Sequence, residues 1–145
     1  MSGAREVDGR CLCGAITFHA NATSSDVGAC HCTMCQRWAA GPLLALDIDP
    51  ASLAVGGEDN LGVYLSSGWG ERCFCKKCGT ALFWRSRDGR HAVVSAGALN
   101  DKSGLNFASQ IFTDEKPSYY EFANKTAEMT GPEFIAAMTG GSKKD

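Results

Sequence analysis

The arrangement of the cysteines is the feature of this sequence that most limits how the chain can fold. All 8 cysteines of the 145 residues fall into three short clusters, and none stands alone elsewhere. The first cluster is a C-x-C pair and the other two are C-x-C-x-x-C runs: Cys11 and Cys13; Cys30, Cys32 and Cys35; Cys73, Cys75 and Cys78. Thiolates at these spacings are typical of zinc sites, whereas cysteines that only fill a core occur singly in apolar runs. The pattern therefore predicts a zinc-binding domain rather than a disulfide framework.

The spacing within each cluster suits a set of ligands that share one metal ion. In an extended strand, side chains at positions i and i+2 lie on the same face, so a C-x-C pair directs two sulfurs to one point. A C-x-x-C segment closes a tight turn in which the two sulfurs converge on one ion. Gly14 follows Cys13 and Gly79 follows Cys78, and glycine readily adopts the positive φ that such turns often need.

Length and composition narrow the class of protein. A chain of 145 residues can form one domain with its own core, so it does not need disulfides to fold. The segment MSGAREVDGR has no apolar run, and no stretch approaches the roughly 20 residues of a membrane span, so we expect neither a secretory leader nor a membrane helix. We therefore expect a cytoplasmic protein with reduced cysteines. The net charge of −2 disfavours a nucleic-acid binder.

Strand patterns dominate the chain, and helical patterns are sparse. Short apolar or alternating segments bounded by turn residues predict strands at residues 15–20, 43–48, 61–66, 71–75, 81–85, 91–96 and 108–113. Asp88-Gly89 predicts a hairpin turn, and residues 50–55 are compatible with a helical turn. A short helix is predicted from Pro132 to Met138, because Thr130 and Glu133 have the spacing of a capping box. The sequence thus predicts a mostly β single domain of short antiparallel strands with little helix.

Two ways of sharing the eight thiolates remain open. Two four-cysteine sites would use all eight thiolates and fill the coordination of both metals. A four-cysteine site and a three-cysteine site would use seven and leave one open coordination position. Chain order favours the second arrangement, because the C-x-C pair must share its metal with another cluster and the C-x-x-C of Cys75 and Cys78 offers the other half. The middle cluster then forms the three-cysteine site. Cys73 is either a further ligand or a packed core cysteine.

Three segments resemble a known family. They are Gly9 to Gly14 (GRCLCG), Cys30 to Trp38 (CHCTMCQRW) and Phe74 to Thr80 (FCKKCGT). Over residues 5–125 the chain resembles the glutathione-dependent formaldehyde-activating enzymes, a family that includes centromere protein V-like domains. The resemblance implies a β-tent fold stapled by two zinc ions per chain. Under this interpretation residues 1–4 and 141–145 are disordered, and residues 126–140 form a C-terminal extension that carries the short helix.

The resemblance also implies site residues and an activity. It implies a structural zinc on four cysteines and a catalytic zinc on three: Cys11, Cys13, Cys75 and Cys78; Cys30, Cys32 and Cys35. The implied reaction is that of a carbon–sulfur lyase, which forms S-hydroxymethylglutathione from glutathione and formaldehyde and cleaves it again. The implied partner is a small thiol such as glutathione. The alternative is a zinc-stabilised binding module without chemistry, and a thiol-redox role is third because neither C-x-x-C lies in a βαβ pattern.

Residues near the middle cluster are further candidates. Strand geometry would turn His31 away from the metal, so we expect it at the surface or in support of the ligands. Arg37 and Trp38 follow the cluster and could contact a carboxylate and an apolar part of a substrate, although Trp38 equally suits core packing. Three conceivable proton-transfer residues have no distinctive spacing and are expected on the solvated surface: Asp47, Asp49 and Tyr119.

Overall fold

The structure of the protein is a computed structural model in which residues 4–139 are described. The strands are β1 Arg5–Arg10, β2 Thr17–Cys30, β3 Leu43–Ile48, β4 Ala54–Gly56, β5 Leu61–Leu65, β6 Gly70–Cys75, β7 Ala81–Ser86, β8 Ala92–Ser95, β9 Asn106–Ile111 and β10 Ala127–Met129. The helices are α1 Thr33–Ala39 and α2 Gly131–Met138. The prediction of a mostly β fold with little helix is confirmed. The predicted disordered ends fall outside the described residues, apart from Ala4.

The described chain divides into two compact units, and the first contains residues 4–27 and Ala45–Asn106. Its strands lie in the order β2-β3-β8-β7-β6-β5, and β1 and β4 also pair with β2. The three successive pairs from β5 to β8 are antiparallel, as short hairpin connections require. Fully buried apolar side chains from several of these segments form its core: Ile16, Leu46, Leu82, Phe83 and Val94. Cys11 and Cys75 are part of the same buried core, and the burial of this apolar surface stabilises the first unit.

The second unit contains residues 28–44 and 107–139. It holds the end of β2, helix α1, the parallel pair β9 and β10, and helix α2. The predicted capping box is present at α2, because Thr130 Oγ1 accepts from the Glu133 N–H and Glu133 Oε1 accepts from the Thr130 N–H. Phe134 of this helix lies against Phe112, with ring centroids 5.9 Å apart. No helix among residues 4–139 has the length and apolar character needed to cross a membrane.

The sequence patterns located the strongly apolar elements and missed the polar or very short ones. The predicted bounds of β3 match, and those of β5 to β9 differ by no more than two residues at either end. Strand β1, with the sequence REVDGR, has only Val7 and Gly9 buried, so it carries no clear apolar alternation. Strands β4 and β10 are three residues long. Helix α1 begins from Cys32 rather than from a serine, threonine or aspartate, which removes the usual sequence signal for a helix start.

Candidate metal centres

The first candidate centre is the four-cysteine cluster, Cys11, Cys13, Cys75 and Cys78, in the first unit. The first two lie between β1 and β2, Cys75 ends β6, and Cys78 lies in the turn that leads to β7. Their Sγ atoms all lie within 4.8 Å of one another. The Sγ atoms of Cys11 and Cys13 are 3.7 Å apart, and those of Cys13 and Cys75 are 3.8 Å apart. A tetrahedron with zinc–sulfur bonds of about 2.3 Å has edges of about 3.8 Å, so the cluster fits zinc.

Two similar turns present the four sulfurs. The Gly14 N–H donates to the Cys11 carbonyl at 3.1 Å, and the Gly79 N–H donates to the Cys75 carbonyl at 2.8 Å. Both glycines have φ = +82°, a conformation in which a residue with a Cβ is strained. The prediction that these glycines serve positive-φ turns after the cysteines is therefore confirmed. Each turn thus aims its pair of sulfurs without strain.

Backbone and side-chain donors surround the sulfurs of this cluster. The Ile16 N–H donates to Cys11 Sγ at 3.3 Å, and the Lys77 and Cys78 N–H groups donate to Cys75 Sγ at 3.3 and 3.4 Å. Thr80 Oγ1 lies 3.2 Å from Cys78 Sγ, and this hydrogen bond, together with backbone hydrogen bonds from Cys13 and Thr80, lowers the pKa of the Cys78 thiol to about 5. Hydrogen bonds of this kind favour thiolates over thiols, and thiolates are the form that binds metal.

The second candidate centre is the three-cysteine cluster, Cys30, Cys32 and Cys35, in the second unit. Cys30 is the last residue of β2, Cys32 is the N-cap of α1, and Cys35 lies in the first turn of that helix. The three Sγ atoms lie within 4.8 Å of one another. The Cys35 N–H donates to Cys32 Sγ at 3.3 Å. The strand end and the helix start thus bring together the three sulfurs that the spacing of the middle cluster predicted.

The thiols of the three-cysteine cluster are crowded in a way that favours a cation. Hydrogen bonding with Cys32 and Cys35, together with burial, raises the pKa of the Cys30 thiol well above its usual range. Three thiols at this spacing cannot all ionise beside one another unless a positive ion offsets their charge. The donor set is soft and supplies three ligands, which suits zinc with one coordination position left for another molecule. Both clusters could therefore hold a metal ion.

His31 lies between two of these cysteines, and its side chain is fully buried. The expectation of a surface position is therefore wrong, and the alternative of a supporting role agrees with its contacts. Its Nδ1 lies 2.6 Å from the Tyr120 hydroxyl, and its Nε2 lies 2.8 Å from Gln110 Oε1. Nothing in the local sequence pointed to these partners, because they lie 89 and 79 residues further along the chain.

Gln36 and Glu115 attach helix α1 to the segment that follows β9. Gln36 Nε2 donates to the carbonyls of His31 and Glu115 at 2.6 and 2.9 Å. The Thr33 N–H, at the first position of the helix, donates to Glu115 Oε1 at 2.8 Å. These hydrogen bonds fix the helix that carries Cys35. The sequence patterns did not identify Gln36 or Glu115 as residues that support the cluster. An acidic side chain at this helix end is also favourable for the helix dipole.

Cys73 does not belong to either cluster. It is fully buried in β6, among the core side chains of the first unit. Among the described residues 4–139, neither group of sulfurs that lie within 4.8 Å of one another includes that of Cys73. Of the two roles left open for Cys73, the structure supports that of a packed core cysteine.

Cys73 is expected to resist alkylation in the native protein. Burial raises the pKa of its thiol to about 11, so only about one part in ten thousand is ionised at pH 7. Mass spectrometry after iodoacetamide treatment should find Cys73 unmodified in native protein and modified in denatured, metal-free protein. Modification of native protein at the rate of a free thiol would contradict this placement.

The remaining candidates lie at or near the surface. Arg37 is exposed and Trp38 is half-buried. The expectation of a solvated surface agrees with three side chains that are exposed: Asp47, Asp49 and Tyr119. Asp49 has a local role, since its Oδ1 accepts from the Ala51 N–H at 3.1 Å and begins a 3₁₀ turn at Pro50–Ser52. That turn is the helical segment expected within residues 50–55.

The chain is similar to several known proteins. A family model described as glutathione-dependent formaldehyde-activating enzyme matches residues 6–115. An uncharacterized lyase of Schizosaccharomyces pombe is 34% identical over 134 residues, which cover 92% of this chain and 97% of that protein. A Halomonas elongata protein, named as a candidate glutathione-dependent formaldehyde-activating enzyme, is 29% identical over 85 residues, or 53% of this chain and 54% of that protein. A crystal structure of a Rhodobacter sphaeroides protein has a TM-score of 0.57 and 25% identity, and covers 68% of this chain and 90% of that one.

Proposed function

Because this chain belongs to the glutathione-dependent formaldehyde-activating enzyme family, we propose that it is an enzyme that forms and cleaves a carbon–sulfur bond in a thiol adduct. The single observation that carries the proposal is the three-cysteine cluster, which gathers three sulfurs and no fourth protein ligand within residues 4–139. A closed site would bind four protein ligands, whereas three leave a position for a substrate atom. The names of the two similar proteins, one a lyase, support the same class of reaction.

We propose that each cluster binds one Zn²⁺, which gives two ions per chain. The four-cysteine cluster holds a structural ion, because its four sulfurs leave no free position. The three-cysteine cluster holds the catalytic ion through Cys30, Cys32 and Cys35. When bound there, zinc would supply a soft Lewis acid that accepts a thiol substrate and lowers its pKa, as coordination does for thiols generally. Thiolate ligands donate strongly, so this centre suits binding a soft sulfur better than ionising water.

The proposed substrates are glutathione and formaldehyde. The glutathione sulfur attacks the carbonyl carbon, so that a carbon–sulfur bond forms while the carbon–oxygen π bond opens. The thiol proton ends on the oxygen, and the product is S-hydroxymethylglutathione; the reverse reaction returns the same atoms. Cys30, Cys32 and Cys35 orient the reacting sulfur, and the short helix α1 holds the last of them in place. A cytoplasmic location, where glutathione is abundant and thiols stay reduced, fits the same proposal.

The second candidate function is a zinc-stabilised binding module without chemistry. It would need metal at both clusters but no exchangeable position at either. The three-cysteine cluster favours the enzyme. Structural zinc sites have four protein ligands, whereas this cluster has no fourth protein sulfur within residues 4–139.

Glutathione is expected to perturb the metal at the three-cysteine cluster. In protein loaded with Co²⁺ in place of zinc, added glutathione should change the near-ultraviolet sulfur-to-metal absorption and the visible d–d bands, with a saturable dependence on concentration. S-methylglutathione is the matched control, because it carries no free thiol and should leave the spectrum unchanged. Formation of S-hydroxymethylglutathione from glutathione and formaldehyde, followed by NMR, then tests the reaction. If both metals exchanged equally slowly and no thiol changed the spectrum, the result would favour the binding module over the enzyme.

A further inference from the structure

Every polar group of His31 forms a hydrogen bond. Its backbone N–H donates to the Ile111 carbonyl at 3.1 Å, and its own carbonyl accepts from Gln36 Nε2 at 2.6 Å. Both ring nitrogens are also bonded, one to Tyr120 and the other to Gln110. No polar group of this residue is left to reach a substrate or a metal ion. Its contribution must therefore pass through the residues on either side of it, which are two of the three ligands.

The side-chain network around His31 has one consistent direction of donation. Gln110 Nε2 donates to Thr126 Oγ1 at 2.9 Å, so its Oε1 is the atom that accepts from His31 Nε2–H. His31 Nδ1 then accepts from the Tyr120 hydroxyl at 2.6 Å. Gln110 is itself only 5% exposed. A buried network in which every member is satisfied holds its residues in a single arrangement.

The position of the His31 ring determines where the neighbouring sulfurs point. Successive side chains in extended chain face opposite ways, so a ring buried on one side directs Cys30 and Cys32 to the other. Tyr120 is in turn anchored by Lys116, whose Nζ donates to the Tyr120 carbonyl at 2.5 Å and lies 4.9 Å from the centre of its ring. The Tyr120 ring also meets Phe122 edge-on at 5.7 Å. The Tyr120 hydroxyl is thus presented to His31 by a fixed segment.

We propose that His31 and Tyr120 are positioning residues for the three-cysteine cluster: their hydrogen bond sets the geometry and affinity with which Cys30, Cys32 and Cys35 bind metal. The inference rests on the proposed function only in that a metal is bound at this cluster. It extends that proposal by naming residues outside the ligand set that tune the site. Groups that hydrogen-bond around metal ligands typically change metal affinity by about 10- to 100-fold when they are removed.

Tyr120→Phe and Tyr119→Phe form a matched pair for the test. The first variant removes only the hydroxyl that donates to His31 and keeps the ring that packs on Phe122. The second removes the hydroxyl of the adjacent tyrosine, whose side chain is 81% exposed. Metal affinity at each cluster is measured by competition with a chromophoric chelator, and the Co²⁺ absorption spectrum reports the geometry at the sulfurs. We expect a loss of about 10-fold or more in metal affinity at the three-cysteine cluster in Tyr120→Phe only, with an altered spectrum.

Two results would overturn the proposal. Equal affinities in the two variants would show that the hydroxyl does not act on the cluster. A loss at both metal sites, together with a lower midpoint of thermal unfolding, would assign Tyr120 to general stability. Metal affinity is measured without turnover, so the two proposals can fail separately. If Tyr120→Phe lowers the metal affinity as expected while the unmodified protein is inactive with glutathione, the proposed function is rejected and this inference stands.

Discussion

Replacement of Cys75 by serine is expected to unfold most of the protein. Cys75 is fully buried, and its sulfur is one of the four in the four-cysteine cluster, 3.8 Å from that of Cys13. Structural zinc contributes on the order of 10 kcal/mol to folding in zinc-finger peptides, which is comparable to the whole stability of a typical domain, about 5–15 kcal/mol. The cluster also joins turns 62 residues apart, so its loss frees a long loop. Circular dichroism on heating should show no cooperative transition, and metal analysis should find the structural ion absent.

Cys73→Ala is the matched control for that variant, because Cys73 lies two residues earlier in the same strand and is equally buried. It removes a sulfur from the core and not from a metal cluster. A small buried truncation of this kind costs on the order of 1 kcal/mol, which lowers the unfolding midpoint by about 2–4 °C in a protein of this size. Two metal ions per chain should remain. A Cys75→Ser protein that unfolded as cooperatively as Cys73→Ala, with a similar midpoint, would contradict the structural role of Cys75.

The four-cysteine cluster could be predicted from the sequence because its information is local. Each half consists of two cysteines within three positions of each other, followed by a glycine. The structure gives both glycines the positive φ that such a turn needs. Only the pairing of the two halves depends on the fold. It could still be predicted, because the two cysteines of the C-x-C pair are too few to bind a metal alone and must share one with another cluster.

The surroundings of the three-cysteine cluster could not be predicted in the same way. His31 meets Gln110 and Tyr120, which are separated from it by most of the chain, and no spacing encodes such contacts. The C-x-C-x-x-C pattern also left the role of Cys73 open. What separates Cys73 from Cys75 is position along β6: Cys75 stands where the strand ends and the turn begins, whereas Cys73 lies two residues earlier, within the strand.

Replacement of Cys35 by serine is expected to abolish activity and leave the fold in place. The serine oxygen is a poorer ligand than a thiolate for zinc in a sulfur-rich site, so only two cysteines of the cluster remain to bind the ion. We expect metal analysis to find one zinc per chain instead of two, and S-hydroxymethylglutathione formation to fall at least about 1,000-fold, as loss of a group on which the transition state depends typically does. The first unit keeps its own core and its own four cysteines.

Met34→Ala provides the comparison, because Met34 lies in the same helix turn, is exposed and supplies no ligand. It should retain two metal ions and nearly full activity. Cys35→Ser should lower the unfolding midpoint by about 2–12 °C and keep a cooperative transition, since a buried polar substitution costs about 1–3 kcal/mol. Stability therefore separates the two clusters: loss of a four-cysteine ligand removes the fold, and loss of a three-cysteine ligand removes the reaction. An active Cys35→Ser protein with two metal ions would mean that the chemistry does not depend on this cluster.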